Sequence, residues 1–189
     1  MDNISTFVGT LCDDSMEWRR NNGEMFYFTH IDIMGYVVPA VMSQHFFDMY
    51  CGKRIMCRAF PRETRIKFNG ERQVFSYLYC VHVEDADPDT ADCRDVEIYG
   101  VVSSRNSKVT LGSENDSKIH FEMEYVVNFD RPVTVLVPCR AFGMVARSLL
   151  GIQKGDALRV SGKISGYGQT LRLIIKKFDK EVEPDVVED

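Results

Sequence analysis

The sequence contains an internal repeat, which limits the possible folds more than any other feature. Ile4 to Leu11 (ISTFVGTL) is matched by Val96 to Ser103 (VEIYGVVS), and each run is typical of a β-strand and carries one glycine, Gly9 in the first copy and Gly100 in the second. A polar loop follows in each copy. A strongly alternating run comes next, Met25 to Ile33 (MFYFTHIDI) in the first copy and Ile119 to Val127 (IHFEMEYVV) in the second. The chain of 189 residues is long enough for two domains of about 90 to 100 residues each.

The rest of each copy completes the same order of elements. A third strand and a short helical stretch follow, and Ala141, Val145 and Leu149 have the spacing of one helix face in the second copy. A glycine, Gly52 or Gly155, then opens a final hairpin. The order β-β-β-α-β-β, found twice, predicts an all-β chain with short helices, folded as two tandem OB folds. These are five-stranded Greek-key barrels whose second and third strands and loops 1-2 and 4-5 bind oligonucleotides.

An acidic segment separates the two copies. The repeat predicts four regions: a first OB fold at 1–84, an acidic linker at 85–94, a second OB fold at 95–180 and an acidic tail at 181–189. The spacing of Asp85, Asp87 and Asp89 resembles the start of an EF-hand calcium loop, but Thr90 stands where that loop needs glycine. A linker is therefore favoured over a calcium site.

Two short motifs resemble one known family. The opening NISTFVGTL, and GIQKGDALRVSGKI at Gly151 to Ile164 with its lysine-glycine-aspartate turn, are similar to bacterial and phage single-stranded DNA-binding proteins and their primosomal relatives. The first copy departs from this pattern, with Cys51-Gly52-Lys53 at the turn. The resemblance implies single-stranded DNA as the partner, replication proteins as further partners, and a role in DNA replication, recombination or repair. It also implies that four OB folds assemble, which for this chain means a homodimer.

Charge is distributed unevenly along the chain. The net charge is −5, yet the segment between Tyr50 and Phe75 has a local charge of +5. Its basic residues are Lys53, Arg54, Arg58, Arg62, Arg65, Lys67 and Arg72. This segment is the electrostatic feature expected of a nucleic-acid binder, although the overall acidity argues weakly against one.

The same segment contains the hairpin RIKFNGERQVFSYLY. Asn69-Gly70 fits a two-residue type I′ turn, and strand alternation places Arg65 and Lys67 on one face. The hairpin is longer than its counterpart in the second copy, so it predicts a projecting basic arm. A solvated edge hairpin is the alternative. Tyr77 and Tyr79 share a face and could line the groove or fill the core.

Aromatic residues near loop 1-2 are the candidates for base stacking. Alternation places Phe26 and Phe28 on the face of their strand opposite the barrel interior. Covering by a partner subunit or by the second domain is the alternative. Trp18, the only tryptophan, stands in loop 1-2 beside Arg19 and Arg20. This arrangement suits stacking with phosphate neutralisation, or packing over the barrel end.

The second copy carries a different pattern. Its alternating strand places His120, Glu122 and Glu124 on the outer face, and the two carboxylates would repel phosphates. We therefore expect the first barrel to bind DNA and the second to support assembly. Weaker candidates for backbone contacts are Arg105, Lys108, Arg159, Lys163 and Arg172.

Catalytic motifs are not found. The four histidines are far apart, and no metalloprotease, phosphate-loop or deaminase pattern occurs. We expect no enzyme activity, no cofactor and no metal. The six cysteines lack a C-x-x-C pair and are expected to be reduced. No membrane segment or leader is predicted, which indicates a cytoplasmic, nucleoid-associated protein. The rival function is a tandem OB-fold adaptor of a replication complex, or an RNA binder.

Overall fold

The computed structural model describes residues 3–19, 23–68, 71–104, 117–129, 131–168 and 170–180. The first barrel contains β1 (Ser5–Leu11), β2 (Met16–Arg19), β3 (Met25–Ile33), β4 (Tyr36–Ser43), α1 (Gln44–Tyr50), β5 (Arg54–Phe68) and β6 (Glu71–Asp85). The second barrel contains β7 (Asp95–Ser104), β8 (Lys118–Phe129), β9 (Arg131–Phe142), α2 (Gly143–Ser148), β10 (Ala157–Tyr167) and β11 (Thr170–Lys180).

Both halves form closed barrels. In the first barrel the strands lie in the order β1-β5-β6-β4-β3, and pairing of β1 with β3 closes the ring. In the second barrel the order is β10-β11-β9-β8-β7, closed by β7 and β10. One parallel pair occurs in each, β4 with β6 and β9 with β11. The prediction of two tandem OB folds is confirmed.

Two local elements differ from the sequence prediction. Residues 16–19, predicted as loop, form β2, which pairs with β3 outside the closed ring. Its alternating Met-Glu-Trp-Arg sequence suits an edge strand. Helix α2 begins only at Gly143, so Ala141 lies in β9, while Leu149 is buried just after the helix ends. The predicted helix face was therefore too long.

The matched glycines of the two copies have the same structural role. A Cβ atom on Gly9 would overlap the backbone oxygen of Asp32, and one on Gly100 would lie 2.5 Å from the backbone oxygen of Glu124. Each glycine thus lets the first strand of its barrel approach the alternating strand closely enough to close the ring. This equivalence explains why the repeat is visible in the sequence.

The two barrels pack through equivalent elements. β10 of the second barrel packs on β4 of the first, β5 of the first packs on β9 of the second, and β6 meets β11. The buried Ser76 hydroxyl donates to the Leu171 carbonyl at 3.0 Å and accepts from the Leu171 N–H at 2.9 Å. The Tyr125 hydroxyl donates to the Pro61 carbonyl. Each final hairpin therefore supports the neighbouring barrel.

The segment between the barrels lies against both. Cys93 and Val8 exchange backbone hydrogen bonds of 3.0 and 3.1 Å. The Arg94 guanidinium lies 3.5 Å from the centre of the Tyr36 ring and donates to the Ile164 carbonyl at 3.0 Å. Within the described ranges, no helix is long and apolar enough to cross a membrane.

Candidate nucleic-acid interface

An aromatic cleft lies on the outer face of the first barrel. Its lining residues are Met16, Glu17, Trp18, Phe28, Thr64, Phe75 and Tyr77. One wall is β2, where Met16 stands opposite Phe28 and Trp18 opposite Phe26 in the pairing with β3. Because directly paired residues project from the same face of a sheet, β2 extends the outer face of β3 beyond the closed ring.

The β5–β6 hairpin forms the other wall of the aromatic cleft. Thr64 pairs with Phe75, and Arg62 with Tyr77. These pairs occur because both strands are fifteen residues long and continue beyond the ring, whereas β10 and β11 have eleven residues each. The cleft therefore lies between loop 1-2 and hairpin 4-5, the position at which OB folds bind oligonucleotides.

The rings of the aromatic cleft meet edge to face. Phe28 contacts Phe75 at 5.7 Å and Tyr77 at 6.1 Å between ring centres, with interplanar angles of 78° and 80°. Trp18 contacts Tyr77 at 6.4 Å and 79°. An edge-to-face pair covers only part of the ring faces involved. Of the four rings, Phe28, Phe75 and Tyr77 are buried and Trp18 is half-buried.

Phe26 and Phe28 are buried, so they do not form the accessible stacking surface that their place on the outer face suggested. Their exposed fractions are 8% and 7%. Both contact aromatic rings of their own barrel: Phe26 contacts Tyr79, and Phe28 contacts Phe75 and Tyr77. Strand alternation correctly put them on the outer face, but it could not show that β2 and β6 close over that face.

The two tyrosines of β6 have different surroundings. Tyr77 is 2% exposed, lines the aromatic cleft, and shares a 2.9 Å hydrogen bond between its hydroxyl and that of Thr64. Tyr79 is half-buried and packs on Phe60, with 5.3 Å between ring centres. Tyr77 therefore belongs to the cleft, and Tyr79 to the apolar layer beside it.

The predicted cations do not converge on one place. Arg62 is half-buried on the cleft face of β5 and has no ion pair among the described residues. Arg65 is 59% exposed on the opposite face and lies 3.2 Å from Glu63 and 3.5 Å from Glu122 of the second barrel. The Arg54 guanidinium is held by Asp92 and by the Thr90 carbonyl. The remaining described cations of this set are exposed: Arg19, Lys53, Arg58 and Arg72.

Some predictions lie outside the described residues. These concern Arg20, the side chain of Lys67, the Asn69-Gly70 turn, Arg105 and Lys108. Two weaker candidates in the second barrel have acidic neighbours: Arg159 pairs with Glu97, and Lys163 lies 3.8 Å from Asp95.

The outer face of the second barrel carries a basic cluster that the sequence analysis missed. It consists of Lys118, His120, Arg140 and Arg172. His120 pairs with Arg140 between β8 and β9, and the Arg140 Nε–H donates to His120 Nδ1 at 3.0 Å. Glu122, expected to repel phosphates, instead accepts a 2.6 Å hydrogen bond from Ser104 and contacts Arg65. The face is therefore less acidic than its strand predicts.

The members of the basic cluster influence each other's protonation. Burial lowers the pKa of His120, and the positive charges of Arg140, Arg172 and Lys118 lower it further. Burial and the charge of Arg172 likewise lower the pKa of Arg140. The cluster thus holds positive charge that an anion would stabilise.

Other chemistry is sparse in the described part of the chain. No group of three or more potential metal ligands occurs there. The six cysteines are free, and burial raises the pKa of the Cys139 thiol well above its usual range. A buried, protonated thiol is a poor nucleophile.

The fold is similar to that of solved structures. No protein-family model matches the sequence, and no curated protein matches it. The single-stranded DNA-binding protein of Thermus aquaticus matches over 99% of this chain and 96% of its own, with 13% identity and a TM-score of 0.72. A deletion mutant of that protein carrying R190A matches over 99% and 98%, with 15% identity and a TM-score of 0.73. The two chains share a tandem OB fold. At this identity the likeness describes architecture alone.

Proposed function

We propose that this chain is a non-enzymatic protein that binds single-stranded DNA in the aromatic cleft of its first barrel. The observation that supports this most directly is the cleft itself: four aromatic side chains stand between loop 1-2 and hairpin 4-5 of an OB fold. Unpaired bases stack on such rings, and each stacked base contributes roughly 1 to 3 kcal/mol.

The geometry favours single strands over duplex. The rings of the cleft are recessed between β2 and the β5–β6 hairpin, so a base reaches them only if it leaves its own stack. In a duplex this costs unpairing and unstacking energy, whereas in a single strand the bases are already accessible. Contacts to ring faces favour no particular sequence strongly, because every base has such a face.

Charge supports the same proposal. Arg62 on the cleft face supplies positive charge on the same face of β5 as Thr64, while Glu17 also lines the cleft and the chain as a whole carries −5. A local positive region on an acidic protein attracts phosphates over roughly one Debye length, about 10 Å at 0.1 M salt. Binding should therefore weaken as salt is raised.

The wider role is part of the proposal. The Thermus aquaticus protein that shares the fold is named for single-stranded DNA binding. We propose that this chain likewise acts in DNA replication, recombination or repair, in the cytoplasm with the nucleoid, without cofactor or metal. The resemblance of its motifs to that family supports a homodimer with four OB folds and contacts with replication proteins. The burial of Phe26 and Phe28 within the barrel removes one support of the adaptor alternative, the exposed aromatics, whereas its other support, the net charge of −5, remains.

Titration tests the proposal. A fluorescent oligo-dT of about 35 nucleotides would accommodate two OB folds, each covering up to about 16 nucleotides. We expect tight binding at low salt, weaker binding at moderate salt, and little binding to duplex of equal length. Because Trp18 is the only tryptophan, quenching of its emission reports on the cleft. Absence of binding at low salt would contradict the proposal and favour a protein partner.

A further inference from the structure

The aromatic cleft encloses a small cavity of about 130 Å³. Phe28, Phe75 and Tyr77 provide buried aromatic surface, and Met16 and Trp18 border the cavity from β2. The lining is mostly apolar. It therefore differs from an open stacking surface, which would accept rings of any size.

The volume limits what can enter. An engineered protein cavity of about 150 Å³ lined by apolar side chains holds one benzene molecule. A cavity of 130 Å³ that is open on one side is thus matched to a single six-membered ring. The fused two-ring system of a purine is larger and would project out of it.

Two polar features border this mostly apolar cavity, the acidic residue Glu17 and a pair of hydroxyls. The Thr64 hydroxyl and the Tyr77 hydroxyl share a 2.9 Å hydrogen bond. A threonine hydroxyl has one donor and two acceptor lone pairs, so Thr64 can make a further hydrogen bond as donor or acceptor. The edges of thymine and cytosine differ in their donors and acceptors, and a rotating hydroxyl can serve both.

Arg62 complements the cavity from the same strand face. It pairs with Tyr77 two positions along β5 from Thr64 and has no ion pair among the described residues. A base that enters the cavity brings its own phosphate close to this strand. Base and phosphate can therefore be held together by one face of the β5–β6 hairpin.

We propose that this cavity takes one unpaired pyrimidine base at a time, with Thr64 contacting the base edge and Arg62 the adjoining phosphate. The inference rests on the proposed function, because it names the part of a single strand that the aromatic cleft selects. It adds a size-selective pocket to a binding mode otherwise indifferent to sequence.

The test uses oligomers with a uniform backbone. We would measure the affinity of deoxyribose-phosphate oligomers that lack all bases, or that carry one central thymine, cytosine, adenine or guanine. We expect one pyrimidine to strengthen binding at least fivefold over the abasic oligomer, consistent with one stacked base. One purine should give clearly less. Trp18 emission should respond to the pyrimidines more strongly than to the purines.

Two substitutions test the edge contact. Thr64→Val keeps the shape and removes the hydroxyl, and should reduce the pyrimidine advantage roughly two- to tenfold. Thr134→Val, on the exposed face of β9, is the matched control and should leave the advantage unchanged. Thermal unfolding of both variants establishes that they fold.

The outcomes separate the two proposals. If oligo-dT does not bind at all, the proposed function fails, and the pocket with it. If oligo-dT binds but one pyrimidine gives no advantage, or purines give an equal one, the size-selective pocket is overturned while single-strand binding stands. An advantage that persists in full in Thr64→Val would overturn the edge contact.

Discussion

Arg62 and Arg65 lie three residues apart on β5 and therefore project from opposite faces of the hairpin. Arg65 has Glu63 and Glu122 within ion-pair distance, so much of its charge is compensated inside the chain. Arg62 lies on the face of the aromatic cleft. The two guanidinium groups are chemically identical, but that of Arg62 is more available to a phosphate in the cleft than that of Arg65.

Substitution of these arginines should show the difference. We expect Arg62→Gln to weaken oligo-dT binding by about 1.5 kcal/mol, roughly tenfold, because a charged hydrogen bond to phosphate is lost. The slope of log affinity against log salt should become shallower by about 0.7. Arg65→Gln is the matched control and should change the affinity less than twofold. Equal losses in both variants would show that the hairpin contributes only general positive charge.

Gly9 illustrates a residue whose lack of a side chain is required. We expect Gly9→Ala to lower the free energy of unfolding by roughly 1 to 3 kcal/mol, because the added methyl group overlaps the Asp32 backbone oxygen. Gly151 has open space around its Cα, so Gly151→Ala should change stability by less than about 0.5 kcal/mol. Urea unfolding of both variants makes the comparison, and a stable Gly9→Ala would mean that β1 does not approach β3 this closely.

At the scale of elements, strand alternation predicted most of what positions the cleft. It placed Phe26 and Phe28 on the outer face of β3, and Tyr77 and Tyr79 on one face of β6. Comparison of the two copies predicted that the β5–β6 hairpin is the longer of the two final hairpins. It could not predict β2, because four residues form a strand only where a neighbouring edge offers hydrogen bonds. Without β2, the burial of the phenylalanines and the pairing of Trp18 with β3 were also hidden.

The basic cluster was hidden for a similar reason. His120 and Arg140 are twenty residues apart in the sequence, and the pairing of β8 with β9 brings them together. Arg172 joins from β11 through the parallel pairing with β9. Within β8 alone, the pattern shows His120 between Lys118 and Glu122, and the two glutamates of the strand dominated the prediction. Charge on a sheet depends on the neighbouring strands.

The basic cluster predicts how stability depends on pH. His120 faces Lys118 and Glu122 on its own strand, Arg140 on β9 and Arg172 on β11. Its pKa in the folded state is lowered by burial and by these cations, so the unfolded chain binds the proton more readily. Stability should therefore fall as pH drops through about 6.5, the ordinary histidine pKa.

The substitution His120→Gln isolates this contribution. As pH falls from about 7.5 to 5.5, the range that brackets the ordinary histidine pKa, the melting temperature of the variant should decrease less than that of the unmodified protein. His45→Gln, exposed on α1, is the control and should behave like the unmodified chain. The same pH dependence in all three proteins would show that the cluster does not influence the protonation of His120.

At the scale of the whole molecule, the two barrels support each other through their final hairpins. The short hairpin of the second barrel ends against β4 of the first, where a side chain on Gly166 would overlap the Val37 carbonyl. The longer hairpin of the first barrel packs on β9 and β11 of the second barrel. The two hairpins thus differ in length, with strands of fifteen residues in the first barrel and eleven in the second, and the aromatic cleft lies beside the longer one.

Substitution of Ser76 tests how much its hydrogen bonds to Leu171 contribute to the packing of the two barrels. We expect Ser76→Ala to lower the free energy of unfolding by about 2 to 4 kcal/mol, because the N–H and C=O of Leu171 lose their partner at a buried site. Ser148→Ala removes an exposed hydroxyl that, among the described residues, donates to the Met144 carbonyl of its own helix, and should cost less than about 0.5 kcal/mol. A loss for Ser76→Ala as small as that of the control would indicate that the barrels are held together by other contacts.

Photocrosslinking tests the central claim, that single-stranded DNA lies in the aromatic cleft, most directly. Oligo-dT with photoreactive thymine analogues would be irradiated in complex with the full chain, and the crosslinked residues identified by mass spectrometry. We predict crosslinks at Trp18, Phe75 and Tyr77, all lost when excess unlabelled oligo-dT is added. Specific crosslinks confined to residues outside β2, β3 and the β5–β6 hairpin would contradict the account.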